Sequence, residues 1–261
     1  MTGSATDGSG GGGCAPAAWQ SGLAALGPFF AVRTHDAGRP AAPPWRSMAE
    51  LRTDPSVLRE RVAAVRGALA SGGGRPPRDV EARVAASVAH LGVVARLVSP
   101  CLALAVLYGE VPYGLRLAAL RWQPALGGPY PLSLPARPAI AGTDDAGSGP
   151  DELADALTRE VCDGPVRELG EEFAALRVSP RIAWGNVASA VNGAAGMIAA
   201  ARPDRAARAR TVAALVLDRP PLRGTATRTS TGAFQRRSCC LIYRAAPGRA
   251  GALCGDCVLR R

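Results

Sequence analysis

Cys239-Cys240 and Cys254-Gly255-Asp256-Cys257 place four of the chain's seven cysteines within nineteen residues of the C-terminal tail. Thiols this dense bridge one another, bind metal or exchange electrons. Disulfide frameworks belong to oxidising compartments. Met1 to Asp7 shows no basic run leading into an apolar core, so no secretory signal is expected. The expectation is a cytoplasmic chain whose thiols are reduced or metal-bound. Seven is also an odd number, so pairing cannot account for every thiol.

Two metal chemistries remain on spacing. Cys254-x-x-Cys257 is a good knuckle, because both sulfurs can turn toward one centre and Gly255 permits the tight turn. The adjacent pair Cys239-Cys240 suits zinc less well, since structural zinc sites draw paired ligands from residues two to four apart. Neighbouring side chains diverge, and a two-iron cluster offers two metal atoms for them to reach. Spacing leaves zinc and a cluster both open.

The segment Arg237-Ser238-Cys239-Cys240-Leu241-Ile242-Tyr243-Arg244, followed by Leu253-Cys254-Gly255-Asp256-Cys257, resembles the C-terminal signature of the FhuF-type ferric siderophore reductases. That signature has a Cys-Cys, a spacer of about ten residues and a Cys-x-x-Cys, and its four thiolates hold a [2Fe–2S] cluster. The spacer here is thirteen residues, Leu241 to Leu253, with the excess in the turn-rich Ala245 to Gly251. Trp184-Gly185-Asn186, just before a predicted helix body, and the block Arg83 to Leu97 are similar to the same family. The resemblance implies Cys239, Cys240, Cys254 and Cys257 as metal, cofactor and catalytic residues. It also nominates Trp184 and Asn186 as substrate contacts, with Arg236 and Arg237 added as contacts for substrate or donor.

Net charge is +10, and all 31 basic residues are arginine. The chain is also heavy in Ala, Gly and Pro, so the arginine excess reads first as codon bias, not nucleic-acid binding. Around the thiols Arg236, Arg237, Arg244, Arg249, Arg260 and Arg261 face only Asp256. Such charge favours the reduced, more negative form of a cluster and suits an acidic electron donor such as a ferredoxin or flavodoxin. A solvated basic tail is the plain alternative.

The periodicity predicts a mainly α fold with a small β-sheet and a C-terminal cysteine hairpin. Residues 1–14, Gly/Ser-rich and including Cys14, are expected to be disordered. Residues 15–235 form the mainly helical, substrate-binding part, and 236–261 the cluster motif packed on it. A short helix precedes Gly27-Pro28, with Phe29–Val32 extended and His35 in a solvated loop. Asp54-Pro55 caps a helix that ends near Gly72. A second helix runs from Asp79 to Val98, where Ser99-Pro100 kinks or stops it. Leu97–Leu107 is a buried core helix too short to span a membrane, and His90 and Cys101 are core residues. Strands are expected within Tyr113–Leu134, and a linker over 138–150. Asp151–Arg177 is amphipathic and split at Pro165, with its glutamates solvated and Cys162 in the packing. Ser179-Pro180 begins a small-residue helix, another spans Asp204–Leu217, and Thr225–Thr231 is extended.

No phosphate loop or dinucleotide fingerprint appears, so electrons must come from another protein. The expected function is one-electron reduction of a ferric siderophore, hydroxamate type first, releasing ferrous iron. Hard oxygen ligands hold ferric iron far better than ferrous iron. The alternatives are an iron–sulfur sensor or carrier without turnover and a zinc-stabilised, Arg-rich interaction module.

Overall fold

The computed structural model describes residues 18–125, 128–136 and 148–260 of the 261-residue chain. The N-terminal segment with Cys14 and most of the 138–150 linker lie outside the described residues. Helix α1 (Ala18–Ala25) turns at Gly27 into strand β1 (Arg33–His35). Strand β2 (Arg46–Ser47) and a short helix α2 (Glu50–Thr53) lead to α3 (Pro55–Gly72). The Asp54 carboxylate accepts the Ser56 N–H at 2.9 Å ahead of Pro55, the cap that the sequence dictates. Next come α4 (Ala82–Tyr108), β3 (Arg121–Trp122) and β4 (Leu132–Pro135). Helix α5 (Pro150–Leu157) continues through a widened stretch, Thr158–Val166, that kinks at non-helical Gly164 ahead of Pro165 and leads into α6 (Arg167–Ala175). Helices α7 (Pro180–Ala201) and α8 (Ala206–Leu217) follow, then strands β5 (Ala226–Arg228) and β6 (Phe234–Arg236).

The fold is mainly helical with a small sheet, and α4 is its axis. It packs on α3, α7 and α8. By length and composition α4 is apolar enough to cross a bilayer, yet 72% of its apolar window is buried inside the protein. The helix expected to kink or stop at Ser99-Pro100 does not stop there but is continuous with the buried core helix expected over Leu97–Leu107, and it runs on to Gly109, which closes it with φ 70°. Proline removes one N–H and clashes with the preceding turn. Packing on nearly every side outweighs that cost, and the Ser99 hydroxyl donates to the Ala95 carbonyl at 2.7 Å one turn back.

The four-stranded sheet has the order β1-β4-β3-β2, with β1 parallel to β4 and the other pairs antiparallel. Its N-terminal strand lies at Arg33–His35, later than the expected Phe29–Val32. His35 is therefore a strand residue and not a solvated loop residue. Its Nδ1 lies 2.9 Å from Ser133 Oγ, and burial lowers its pKa to about 4. Arg96 in the middle of α4 ties the sheet to the helices. Its buried guanidinium donates to the carbonyls of Tyr130 and Phe29, both at 2.9 Å, and to that of Ala31. Phe29–Ala31 is thus held by its carbonyls against a helix instead of pairing as a strand.

Three carbonyls depend on this one side chain, and an unsatisfied buried acceptor costs about 1–3 kcal/mol. Arg96→Ala should therefore lower unfolding free energy by about 3 kcal/mol or more, read by urea denaturation. Arg96→Met, which restores volume without donors, should recover little of it.

Candidate metal centre in the C-terminal tail

Helix α7 is the platform for the tail. Ser179 precedes Pro180 at its start, and the Ser179 carbonyl accepts the N–H groups of Ile182 and Ala183, both at 2.9 Å. At 3.6 residues per turn, Gly185 and Ser189 share one face, and the tail lies against it. A Cβ at Gly185 would stand 2.1 Å from Ser238 Oγ and 3.1 Å from Arg236 Nη2. Only glycine admits the chain so close, directly ahead of Cys239. Further along, Ser189 donates to the Asp256 carboxylate, and Arg236 N–H donates to the Asp256 carbonyl at 3.0 Å. Both halves of the cysteine motif are therefore pinned to one helix face.

Next to this contact is a buried polar chain linking α4, α7 and the tail. Arg236 Nη2 donates to Asn186 Oδ1 at 2.7 Å. That fixes the amide, so Asn186 Nδ2 donates to the Ser87 carbonyl at 3.0 Å and to His90 Nδ1 at 3.3 Å. Asn186 and His90 are fully enclosed, and Arg236 is 1% exposed. Arg236 Nε and Nη1 have no hydrogen-bond partner, and no carboxylate pairs with Arg236 among the described residues. Burial raises the Cys239 pKa and the hydrogen bond with Cys254 lowers that of Cys240; the Arg236 charge is a smaller influence that favours the thiolate at both.

The four cysteines lie in irregular segments of the C-terminal tail, outside its strands. Cys240 and Cys254 bring their sulfurs to 3.6 Å. Two thiolates on one tetrahedral metal with bonds of about 2.3 Å stand roughly 3.8 Å apart, so this pair already has the spacing of co-ligands. The hydrogen bond between them favours ionisation of Cys240 and holds Cys254 protonated well above the usual thiol range. Cys239 Sγ accepts the Leu241 N–H at 3.2 Å, and Cys257 Sγ accepts the Leu259 N–H at 3.4 Å. Burial raises the Cys239 pKa, and that N–H opposes the rise. The bond to Cys239 requires Leu241 to adopt φ 70°, a left-handed conformation costly for leucine. Among the described residues, no three Cys, His, Asp or Glu side chains converge on a single point. The spacer folds into two tight turns, Ile242–Ala245 and Pro247–Arg249, and Gly251 closes it through the Tyr243 carbonyl at 3.0 Å.

Residues 236–259 match the family model of the FhuF 2Fe-2S C-terminal domain. The tail is similar to FhuF-type 2Fe–2S-binding C-terminal domains over that segment. No curated protein matches the chain. Trp184-Gly185-Asn186 and Arg83–Leu97 lie outside the matched segment, but the structure joins them to it. Trp184 is half-buried under the Arg167 guanidinium, 5.6 Å from the ring centroid. Asn186 and Arg236 are enclosed, where their polar atoms meet protein and not solvent, and Arg237 is exposed. Arg244 and Arg249 both pair with Glu81 at the start of α4, at 2.8 and 3.2 Å, which removes them from the free basic patch. Cys101 and Cys162 are buried away from the tail, and burial pushes the Cys162 thiol up to about 12.

His90 was read from sequence as a core residue, and its burial fits that reading, but its place in the polar chain was not visible. It faces Asn186 across 96 positions, and no local pattern reports such a pairing. Burial, then the charge of Arg236, lowers its pKa to about 4.

The Gly185 contact gives a sharp test. Gly→Ala inside a helix ordinarily gains about 1 kcal/mol, but here the methyl group collides with Ser238 Oγ. Gly185→Ala should loosen the tail and increase its proteolysis while the helical circular dichroism signal is unchanged. Adding Ser238→Ala leaves only Arg236 in tight contact and should restore most of the protection. His90 gives a pH test. The unfolded ring takes a proton below about pH 6.5, the folded one only below about 4. Stability should therefore fall on acidification through that window, by about 3 kcal/mol from this residue. His90→Gln should remove that share of the pH dependence in urea titrations and leave the smaller contribution of half-buried His35.

Proposed function

We propose that the protein is a one-electron reductase of ferric siderophores, hydroxamate type first, with a [2Fe–2S] cluster on Cys239, Cys240, Cys254 and Cys257. The observation that carries this reading is Arg236. A buried guanidinium without a carboxylate is costly unless an anion lies beside it. A four-thiolate two-iron cluster is formally dianionic when oxidised and trianionic when reduced, and it supplies that counter-charge. The donor set fits in number and chemistry. Cys240 and Cys254 stand at co-ligand spacing, while Cys239 and Cys257 receive backbone N–H bonds suited to thiolates.

When bound, the cluster supplies one electron at a time. This chain's residues set how easily. Arg236 favours the more negative state, and the N–H groups of Leu241 and Leu259 act in the same direction. Cys240 and Cys257 are buried, while Cys239 and Cys254 are partly exposed and offer the accessible edge. Beside that edge lie exposed Arg237 and Arg260 and two exposed apolar residues, Val258 and Leu259. Exposed arginines together with exposed apolar side chains suit an acidic donor such as a ferredoxin or flavodoxin in the cytoplasm. Arg237 is the exposed candidate for siderophore contact; Asn186 and Arg236 act from within.

The test is reoxidation. Protein reduced anaerobically is mixed with a ferric trihydroxamate, and ferrous iron is trapped by a coloured chelator. Rapid reoxidation with one ferrous ion per electron supports the reductase. A reduced cluster untouched by the chelate points to a sensor or carrier. Arg236→Gln should lower the cluster potential by roughly 60 mV or more, a tenfold change in a one-electron equilibrium, as measured by redox titration.

A further inference from the structure

We propose that the cleft between α4, α6 and α7 is a binding site for a small uncharged molecule, or an arm of a larger one, with an apolar body and a carbonyl-type oxygen. The cleft has a volume of about 320 Å³ and is lined by His90, Arg167, Gly170, Trp184 and Val187 among others. That volume is at the small end of ligand pockets. Pro180, Trp184 and Val187 occupy the face of α7 opposite Gly185 and Ser189. The site is thus separated from the thiols by the thickness of the helix.

His90 defines the chemistry. Arg236 holds Asn186 Oδ1, so Asn186 presents its NH₂ to His90 Nδ1. Nδ1 must accept, and the neutral ring therefore carries its proton on Nε2. His90 is one of the residues lining the cleft, its ring stands edge-to-face with Phe173 at 5.0 Å, and its buried Nε2 has no hydrogen-bond partner. An orphaned buried donor calls for an acceptor. The rest of the lining is mostly apolar, including Val166, Ala174 and Ala183. The two charged groups at the rim are already engaged: Arg167 with Asp163 and over Trp184, Glu171 with Arg52 at 3.2 Å. A neutral carbonyl oxygen satisfies Nε2–H without leaving a buried charge unpaired, whereas a carboxylate would bury one. Amide and hydroxamate carbonyls belong to this class. The inference stands whether or not the tail reduces siderophores, because it rests on His90 and the cleft alone.

The chain has two histidines, so its imidazole nitrogens are simple to resolve. Benzamide is titrated into uniformly ¹⁵N-labelled, anaerobically purified full-length protein, and the His90 Nε2–H signal is followed by NMR. Saturable movement of that signal, with His35 unmoved, is expected, and benzoate should bind at least tenfold more weakly. Gly170→Leu fills the cleft without touching the polar chain, since nothing lies within 4 Å of a Cβ there. It should abolish the shift while the His35 signal stays native. No movement of His90 at the solubility limit of benzamide overturns the inference, as does movement that survives Gly170→Leu or benzoate binding as tightly as benzamide. Neither of the first two results would bear on reoxidation by a ferric chelate.

Discussion

A buried cation without a carboxylate organises this molecule. Arg236 is held by one neutral amide, Asn186, with two guanidinium nitrogens left unpartnered. Desolvating a charge costs several kcal/mol, and a neutral hydrogen bond does not repay it. The thiols that follow three and four residues later are the groups whose ionisation Arg236 favours, and in the proposed function they carry the counter-charge. Fold and cofactor are thereby linked: the arginine anchors the tail to the helical body and makes an anionic group at the cysteines favourable.

Three consecutive residues of α7 connect this anchor to the body, each in a different direction. Trp184 faces the cleft under Arg167, Gly185 admits Ser238 against the helix, and Asn186 turns inward to Ser87, His90 and Arg236. The resemblance had suggested substrate contact at Trp184 and Asn186. For Asn186 the structure provides a structural role instead, orienting one imidazole and one guanidinium at once. Its effect on chemistry is transmitted through Arg236.

Local signals were legible in the sequence. Asp54-Pro55 marked the start of α3, Pro165 marked the break between α5 and α6, and the small residues of α7 announced a close backbone approach that Gly185 makes. The cysteine spacing announced the tail. Long-range competition was not legible. Pro100 is overridden because α4 is packed on nearly all sides, and Phe29–Ala31 is claimed by Arg96 before it can pair as a strand. The basic patch also shrank, because Arg244 and Arg249 meet Glu81 more than 160 positions away in sequence. For His90 the sequence indicated the core but not its orphaned nitrogen, which only the assembled structure reveals.

The central claim is that the four tail thiols hold two irons beside Arg236. The most direct test is iron, zinc and acid-labile sulfide analysis on protein purified without oxygen, together with its absorption spectrum. The account predicts red-brown protein with two irons and two sulfides per chain, lost when Cys239, Cys240, Cys254 or Cys257 is replaced by serine. Colourless protein with a single zinc and no sulfide would contradict it.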